Sequence, residues 1–437
     1  MYKITLKEIN RLAIPAIISG IAEPIISLVD TAIIGHLGAT ELGGVGIASS
    51  FFLLIIWVLA QTKSAISAVV SKFYGKNELE KITTLITQAM LINLFLGFLV
   101  LIATYPFSDK IFQFYGAAGS LLSHGVDYFE IRALGFPIVL ATFGLFGVFR
   151  GLQNTSWAMQ ISILGGVVNL LLDVILVFGI KGFIEPMGVK GAALASLIAQ
   201  LVMFILAVIY FLKNTPFDFK FTLKINPEIS ALLGMSFNLF IRTLSLNVAY
   251  FLGNKFATGY GEAFIAAHTI AMNIWLFSAF FIDGYANAGN AIAGRLLGEG
   301  NYPELINLAR KVAKISVVIG TFLGLFYTVS YPLIGSFFTS ESLVIQSFNT
   351  IFWLVIISQP INGVAFAYDG IFKGLGEAKY LRNTLVVGTF FCFIPVIFIT
   401  DYFDFQLGAI WLAFLGWMIF RGGSLWWKFN KMFPDSK

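Results

Sequence analysis

Asp30 is an acid set inside a long apolar run, Ile25-Ile-Ser-Leu-Val-Asp30-Thr31, and its type and setting point most directly to chemistry. An ionisable group at the middle of a membrane helix costs roughly 2.5–3.5 kcal/mol on insertion scales, so it needs a partner or a task. Charging a carboxyl group away from water costs solvation, which makes Asp30 a candidate proton carrier. Glu23, Lys63, Asp173, Arg242 and Asp283 lie in apolar runs too, and Asp369 falls at the end of one. Asp173 follows Asn169 by one helical turn, so the two share a face. Asp30, Asn169 and Asp173 together offer oxygens to a proton or to a small hard cation such as Na⁺. The same groups would also serve as a polar patch holding two helices together.

The other ionisable residues suggest pairs. Glu23 and Arg242 sit at similar depth in equivalent spans, and a salt bridge between them would act as a gate or as plain structure. Lys63 and Asp283 fall near the cytoplasmic ends of a second equivalent pair, which suggests a latch. Pro24 has no amide N–H and its ring crowds the preceding turn, so a kink is expected beside Asp30. Such a kink gives a helix two shapes, as a switching element requires. Cys392 is the only cysteine, and His36, His124 and His268 are far apart, so no metal site is expected. The chain has no Gly-x4-Gly-Lys-Ser/Thr loop, no His-Glu-x2-His, no nucleophile elbow and no Gly-x-Gly-x2-Gly fingerprint. No enzyme and no ATP drive are expected.

These residues must be positioned by elements that live in lipid. Of 437 residues, 58% are hydrophobic and 12% charged, against roughly a quarter charged in soluble domains. The mean hydropathy is +0.86. Apolar runs over 12–34, 43–70, 83–105, 127–149, 158–180, 189–212, 229–252, 263–293, 309–330, 343–368, 383–400 and 406–427 predict about twelve membrane helices. The run after Arg11 reads as a retained first span and not as a cleaved signal peptide. The net charge of +5 comes from Lys and Arg in short loops, which reports orientation and not nucleic-acid binding. Most of these residues fall at the termini and in the loops after even-numbered spans, which puts both termini in the cytoplasm. The expected location is the cell (inner or plasma) membrane.

The chain also repeats itself. One shift carries Gly38, Ile47 and Ala48 onto Gly261, Ile270 and Ala271. It also carries Ala65, Ala68, Lys72 and Gly75 onto Ala288, Ala291, Arg295 and Gly298, and Gly147-Val-Phe-Arg-Gly-Leu152 onto Gly370-Ile-Phe-Lys-Gly-Leu375. Six spans is an even number, so the halves run parallel and a substrate site near the midplane is expected. The expected domains are a six-helix bundle over 1–212, a cytoplasmic linker over 213–228 and a second six-helix bundle over 229–437.

With these features in hand, the sequence resembles the multidrug and toxic compound extrusion (MATE) family over essentially its whole length. The first span, Pro24-x5-Asp30-Thr31-x3-Gly35-His36-Leu37-Gly38, resembles the family's span 1. Arg150-Gly-Leu-Gln-Asn-Thr155 resembles its loop after span 4, and Asp283-Gly284 with Gly294-Arg295-x2-Gly298-x-Gly300-Asn301 resembles the end of span 8. Asn169-x3-Asp173 resembles span 5 of the DinF-like branch. The resemblance implies an all-α membrane fold of two pseudo-symmetric bundles, and export of organic, often cationic compounds in exchange for H⁺ or Na⁺. It assigns Asp30, Asn169 and Asp173 to an amino-terminal cation site. The NorM-like branch also uses carboxylates in spans 7 and 10. Here span 7 has none and Asp369 ends span 10, which favours the DinF-like pattern. No cofactor besides the coupling ion, and no partner besides a small substrate and the bilayer, is expected. A lipid-linked oligosaccharide flippase of the same superfamily is the alternative, disfavoured because only Arg242 and Lys63 are read as deep cations. A receptor or channel fits the repeat with buried acids less well.

Overall fold

The computed structural model describes residues 3–434, and the side chains of Glu23 and Pro332 lie outside the described residues. Among the described residues the elements are helical, and the only β pairing is an isolated bridge between Ile180 and Ile184. In chain order the helices are α1 (Leu6–Gly20), α2 (Ala22–Ile34), α3 (Ala39–Leu59), α4 (Thr62–Gly75), α5 (Thr83–Thr104) and α6 (Ser108–Phe114). There follow α7 (Gly119–Ala133), α8 (Phe136–Gly151), α9 (Ser156–Phe178), α10 (Gly188–Asn214), α11 (Ile229–Tyr260) and α12 (Glu262–Glu299). The last are α13 (Tyr302–Phe338), α14 (Ser342–Gly374), α15 (Ala378–Gly388), α16 (Ile394–Tyr402) and α17 (Leu407–Met432).

Eleven spans among the described residues are long and apolar enough to cross a membrane, and α7 with α8, bent by 48°, completes twelve. Each overlaps one of the runs read from the sequence. The bend has a local cause. Pro137 lies in the first turn of α8 and offers no N–H, so α7 cannot run on through it. Large apolar side chains such as Phe95, Ile102, Phe322 and Val329 point outward and are exposed, while Asp30, Asp173 and Asp369 are buried. That is the distribution lipid requires, because inside a bilayer the polar groups must find partners within the protein.

The chain divides into two compact units, Ile18–Leu233 and the segment from Gly234 onward, which also takes in the first residues up to Ile17. The expected domains were 1–212 and 229–437, and the compact units are bounded instead at Ile17–Ile18 and Leu233–Gly234. The start of the chain is tied into the second unit by specific bonds. The Ile4 amide donates to Glu304 Oε1 at 2.6 Å, Arg295 pairs with Glu8 at 2.9 Å, and Tyr285 donates to Asn10 Oδ1 at 3.1 Å. The expected linker, 213–228, is held by the first unit. Gln88 donates to the Lys224 carbonyl at 2.8 Å, and Asn226 donates to Thr84 Oγ1 at 2.8 Å and to the Lys81 carbonyl at 3.0 Å. Hydropathy sees these stretches only as polar and cannot say which bundle satisfies them.

The first span is interrupted at Ile21, between α1 and α2. Pro24 lies in the first turn of α2 and has no N–H to give to the Gly20 carbonyl, while Ile25 closes onto the Ile21 carbonyl at 2.9 Å. The change of unit, between Ile17 and Ile18, falls within the last turn of α1.

The repeat reappears as packing. A Cβ on Gly147 would lie 2.6 Å from the Lys63 carbonyl oxygen, and one on Gly370 would lie 2.1 Å from that of Ala286. The shift that carries Gly147 onto Gly370 carries Lys63 onto Ala286. Gly97 against Pro137 Cα and Gly320 against Pro360 Cα form a second matched pair, at 2.3 and 3.0 Å for the added Cβ. Membrane helices approach this closely only over small residues, so each unit is built around equivalent backbone contacts.

Candidate functional site

The interior of the first unit gathers polar side chains from four helices. Asp30 comes from the last turns of α2, Tyr128 from α7, Asn169 and Asp173 from α9, and Ser196 from α10. All are fully buried. Asp30 Oδ2 accepts a short hydrogen bond from the Tyr128 hydroxyl and a second from Ser196 Oγ at 2.7 Å. Asp30 Oδ1 accepts from Asn169 Nδ2 at 3.3 Å, and the same amide reaches Ser196 Oγ at 3.2 Å. Asp30 thus has donors on both oxygens. Such bonds to a charged acceptor are stronger than neutral ones.

Asp173 is the opposite case. Neither of its oxygens, nor Asn169 Oδ1, accepts a hydrogen bond from the protein. Asp173 is within electrostatic range of Asp30 and of Arg132, whose guanidinium lies 4.3 Å from the Phe52 ring centre. Two carboxyl groups thus lie close together away from water. The site therefore presents unclaimed oxygens beside a carboxylate whose donors are already in place. Chemically, that suits a proton or a hard cation.

The structure brings Asn169 into direct contact with Asp30, and Asp173 into its field. Tyr128 and Ser196 were missed by sequence reasoning. Their contacts with Asp30 span 98 and 166 residues, and hydroxyls are common in these spans. Arg132 was not singled out by sequence reasoning either.

The remaining ionisable residues fall elsewhere. Glu23, with its side chain outside the described residues, gives no account of the pair expected with Arg242. Arg242 is engaged within its own unit, its Nη2 2.6 Å from Asp369 Oδ1. Asp369 is shared with Arg421 and Lys373, each at 2.9 Å. An acid at this depth saturates with the nearest buried cations, and three are supplied by α11, α14 and α17. Lys63 Nζ lies 4.8 Å from the Phe143 ring centre, and Asp283 accepts from Asn287 at 2.9 Å.

The family model described as MatE matches residues 15–175 and again 239–399. The second match starts a half-chain after the first, at nearly the shift read from the glycines. The chain is 28% identical over 431 residues to DNA damage-inducible protein F of Escherichia coli, covering 96% of this chain and 91% of that protein. It is 24% identical to the probable multidrug resistance protein NorM of Thermotoga maritima, covering 95% and 90%. The crystal structure of the Vibrio cholerae MATE transporter VcmN in the bent form superposes with a TM-score of 0.89 at 20% identity, over 97% of this chain and 96% of that one. At that identity the superposition speaks for the fold alone.

Proposed function

Because the chain belongs to the MatE family of multidrug and toxic compound transporters, and is a multi-pass membrane protein, we propose that it is a secondary antiporter. In this reading it exports organic, chiefly cationic compounds in exchange for H⁺ or Na⁺ by alternating access. It is a transporter and not an enzyme. The supporting observation is the buried Asp30, bonded by three donors, next to Asp173, which has none. Asp30 has groups in place to hold negative charge. Asp173 must meet its proton or ion from outside the protein.

Binding a proton or Na⁺ at this pair removes charge from a point where α2, α7, α9 and α10 converge. The donors aimed at Asp30 then lose their reason to converge, and the interruption at Ile21 lets α2 respond without moving α1 as one rod. Coupling is reciprocal, so a substrate that displaces the ion must bind more weakly when the ion is present. The Lys and Arg bias supports an orientation with both termini in the cytoplasm, and the plasma membrane is the proposed location. Only a small substrate, the coupling ion and the bilayer are required partners.

Efflux of a cationic dye from proteoliposomes, with the pH and Na⁺ gradients imposed separately, tests this reading. One gradient alone should drive efflux, and Asp30→Asn should abolish it. Undiminished efflux by Asp30→Asn removes the site from the mechanism. The flippase reading draws one support from the structure, since Arg421 and Lys373 are buried besides Arg242. The family match favours small compounds.

A further inference from the structure

A groove of about 510 Å³ opens on the surface of the second unit between α13, α14 and α17. Arg310, Lys314 and Val317 line one side from α13, and Tyr368, Gly423 and Trp426 line the other from α14 and α17. Arg310, Lys314, Gly423 and Trp426 are exposed. Residues four apart share a helix face, so Arg310 and Lys314 point the same way. Among the described residues no acid lines the groove. The start of α13 lies beside the end of α17, where the rings of Tyr302 and Phe433 are 6.0 Å apart. Arg310 lies roughly 12 Å into α13 from that end, and Lys314 one turn deeper. Basic side chains near a helix end carry their charge to the membrane surface and leave their stems on apolar neighbours. The groove therefore has a cationic rim toward the membrane surface and an apolar floor below it.

Two further observations point to a ligand. Tyr368 is 4% exposed and lines the groove within electrostatic range of Arg310, and its hydroxyl has no hydrogen-bond partner among the described residues. A buried polar group without a partner is uncommon and asks for an explanation. The repeat supplies the second. The shift that carries Gly147 onto Gly370 carries Thr87, Leu91 and Leu145 onto Arg310, Lys314 and Tyr368. The first unit thus builds the same three positions without charge. It also covers the first of them, because the Lys220 amide donates to Thr87 Oγ1 at 2.9 Å and the nearby Phe219 ring packs 4.7 Å from that of Phe211 on α10. The fold alone therefore does not demand two cations and a tyrosine at this place.

We propose that this groove binds an anionic phospholipid of the surrounding leaflet. The lipid phosphate sits on Arg310 and Lys314, with the Tyr368 hydroxyl as a further donor, and one acyl chain runs over Val317 and Gly423. A guanidinium matches a phosphate geometrically, and basic pockets between membrane helices suit anionic headgroups. Gly423 keeps the path of the chain clear, since a Cβ there would meet nothing within 4 Å. Trp426 at the rim is the residue type that settles at a membrane surface. Asp369 and the three cations bound to it do not line the groove. The proposal does not depend on the transporter reading.

The full chain in neutral detergent is titrated with phosphatidylglycerol and with phosphatidylcholine of the same acyl chains. Glycerol 3-phosphate serves as the headgroup alone, and the melting temperature is the readout. Phosphatidylglycerol should raise the melting temperature saturably, with half-saturation ~10-fold or more below that of phosphatidylcholine, and glycerol 3-phosphate should not raise it. Lys314→Gln should shift half-saturation by phosphatidylglycerol about 5-fold upward, and Arg310→Gln combined with Lys314→Gln should abolish the preference between the two lipids. Tyr368→Phe removes only the hydroxyl and should shift half-saturation by ~3-fold. Gly423→Leu fills the chain path and should weaken the response to both lipids. Lys314 and Gly423 are exposed, so these variants keep the fold if Tyr368→Phe does not. Equal responses to the two lipids overturn the proposal. So does a preference for phosphatidylglycerol that survives loss of both cations, or a response untouched by Gly423→Leu. A rise reproduced by glycerol 3-phosphate assigns the cations to a free phosphate and also overturns it.

Discussion

A carboxyl group in a bilayer is defined by the donors around it, and the two units treat theirs differently. Asp30 is held by neutral donors from three helices, and Asp369 by three cations. Tyr128→Phe and Ser196→Ala each remove one donor from the same oxygen of Asp30. Each should slow gradient-driven dye efflux, and the double variant should fall short of the product of the two, with a coupling of about 0.5–3 kcal/mol. Strict additivity would mean that the two hydroxyls do not act through Asp30. At Asp369 the loss should be asymmetric. Asp369→Asn leaves three buried cations without their shared acceptor and should cost about 3–5 kcal/mol. Arg242→Met leaves Asp369 with Lys373 and Arg421 and should cost much less. Thermal unfolding in detergent gives the order, and a reversed order would show that Arg242, not Asp369, is the group the others compensate. Asp30 and the Asn169–Asp173 turn were legible because acids in apolar runs are few and a four-residue spacing is local. Tyr128, Ser196 and Arg421 were not, because their importance comes from contacts that only the tertiary fold creates.

Helices here carry information in their breaks and in their close approaches. Pro24 removes the donor that would join α1 to α2, and Pro24→Ala restores it. The variant should be at least as stable as the wild type in thermal unfolding and should export dye about 10-fold more slowly or worse, since a continuous rod no longer divides at Ile21. Normal efflux by a stable Pro24→Ala would show that the interruption is not used. The glycine contacts were legible as a repeat, and only the structure explains why glycine is required. A Cβ on Gly147 or Gly370 would fall within 2.6 Å or 2.1 Å of a backbone carbonyl, which cannot move aside as a side chain can. Gly370→Ala and Gly147→Ala should each destabilise the protein by about 1–3 kcal/mol or more, the larger loss falling at the tighter Gly370 contact.

On the scale of the whole chain, apolar runs gave the number of spans, because a bilayer forces every polar backbone group into a helix and leaves the periodic polar loops outside. The assignment of chain ends to units was not legible. The first residues up to Ile17 group with the second unit because Glu304, Arg295 and Tyr285 supply their partners, and no local pattern announces those pairs. The proposed orientation rests on parity and charge, and it can be tested without reference to transport. Lys220, in the segment after α10, and Glu185, in the loop between α9 and α10, are both exposed and lie at opposite ends of α10. In a Cys392→Ala background, Glu185→Cys should react with a membrane-impermeant maleimide in intact cells. Lys220→Cys should react only in inside-out vesicles, because the Lys and Arg bias predicts that this end of α10 faces the cytoplasm. Labelling of both from one side would break the even span count. The two halves would then face opposite ways, and the parallel repeat that matches Gly147 to Gly370 could no longer place equivalent contacts on the same side of the membrane.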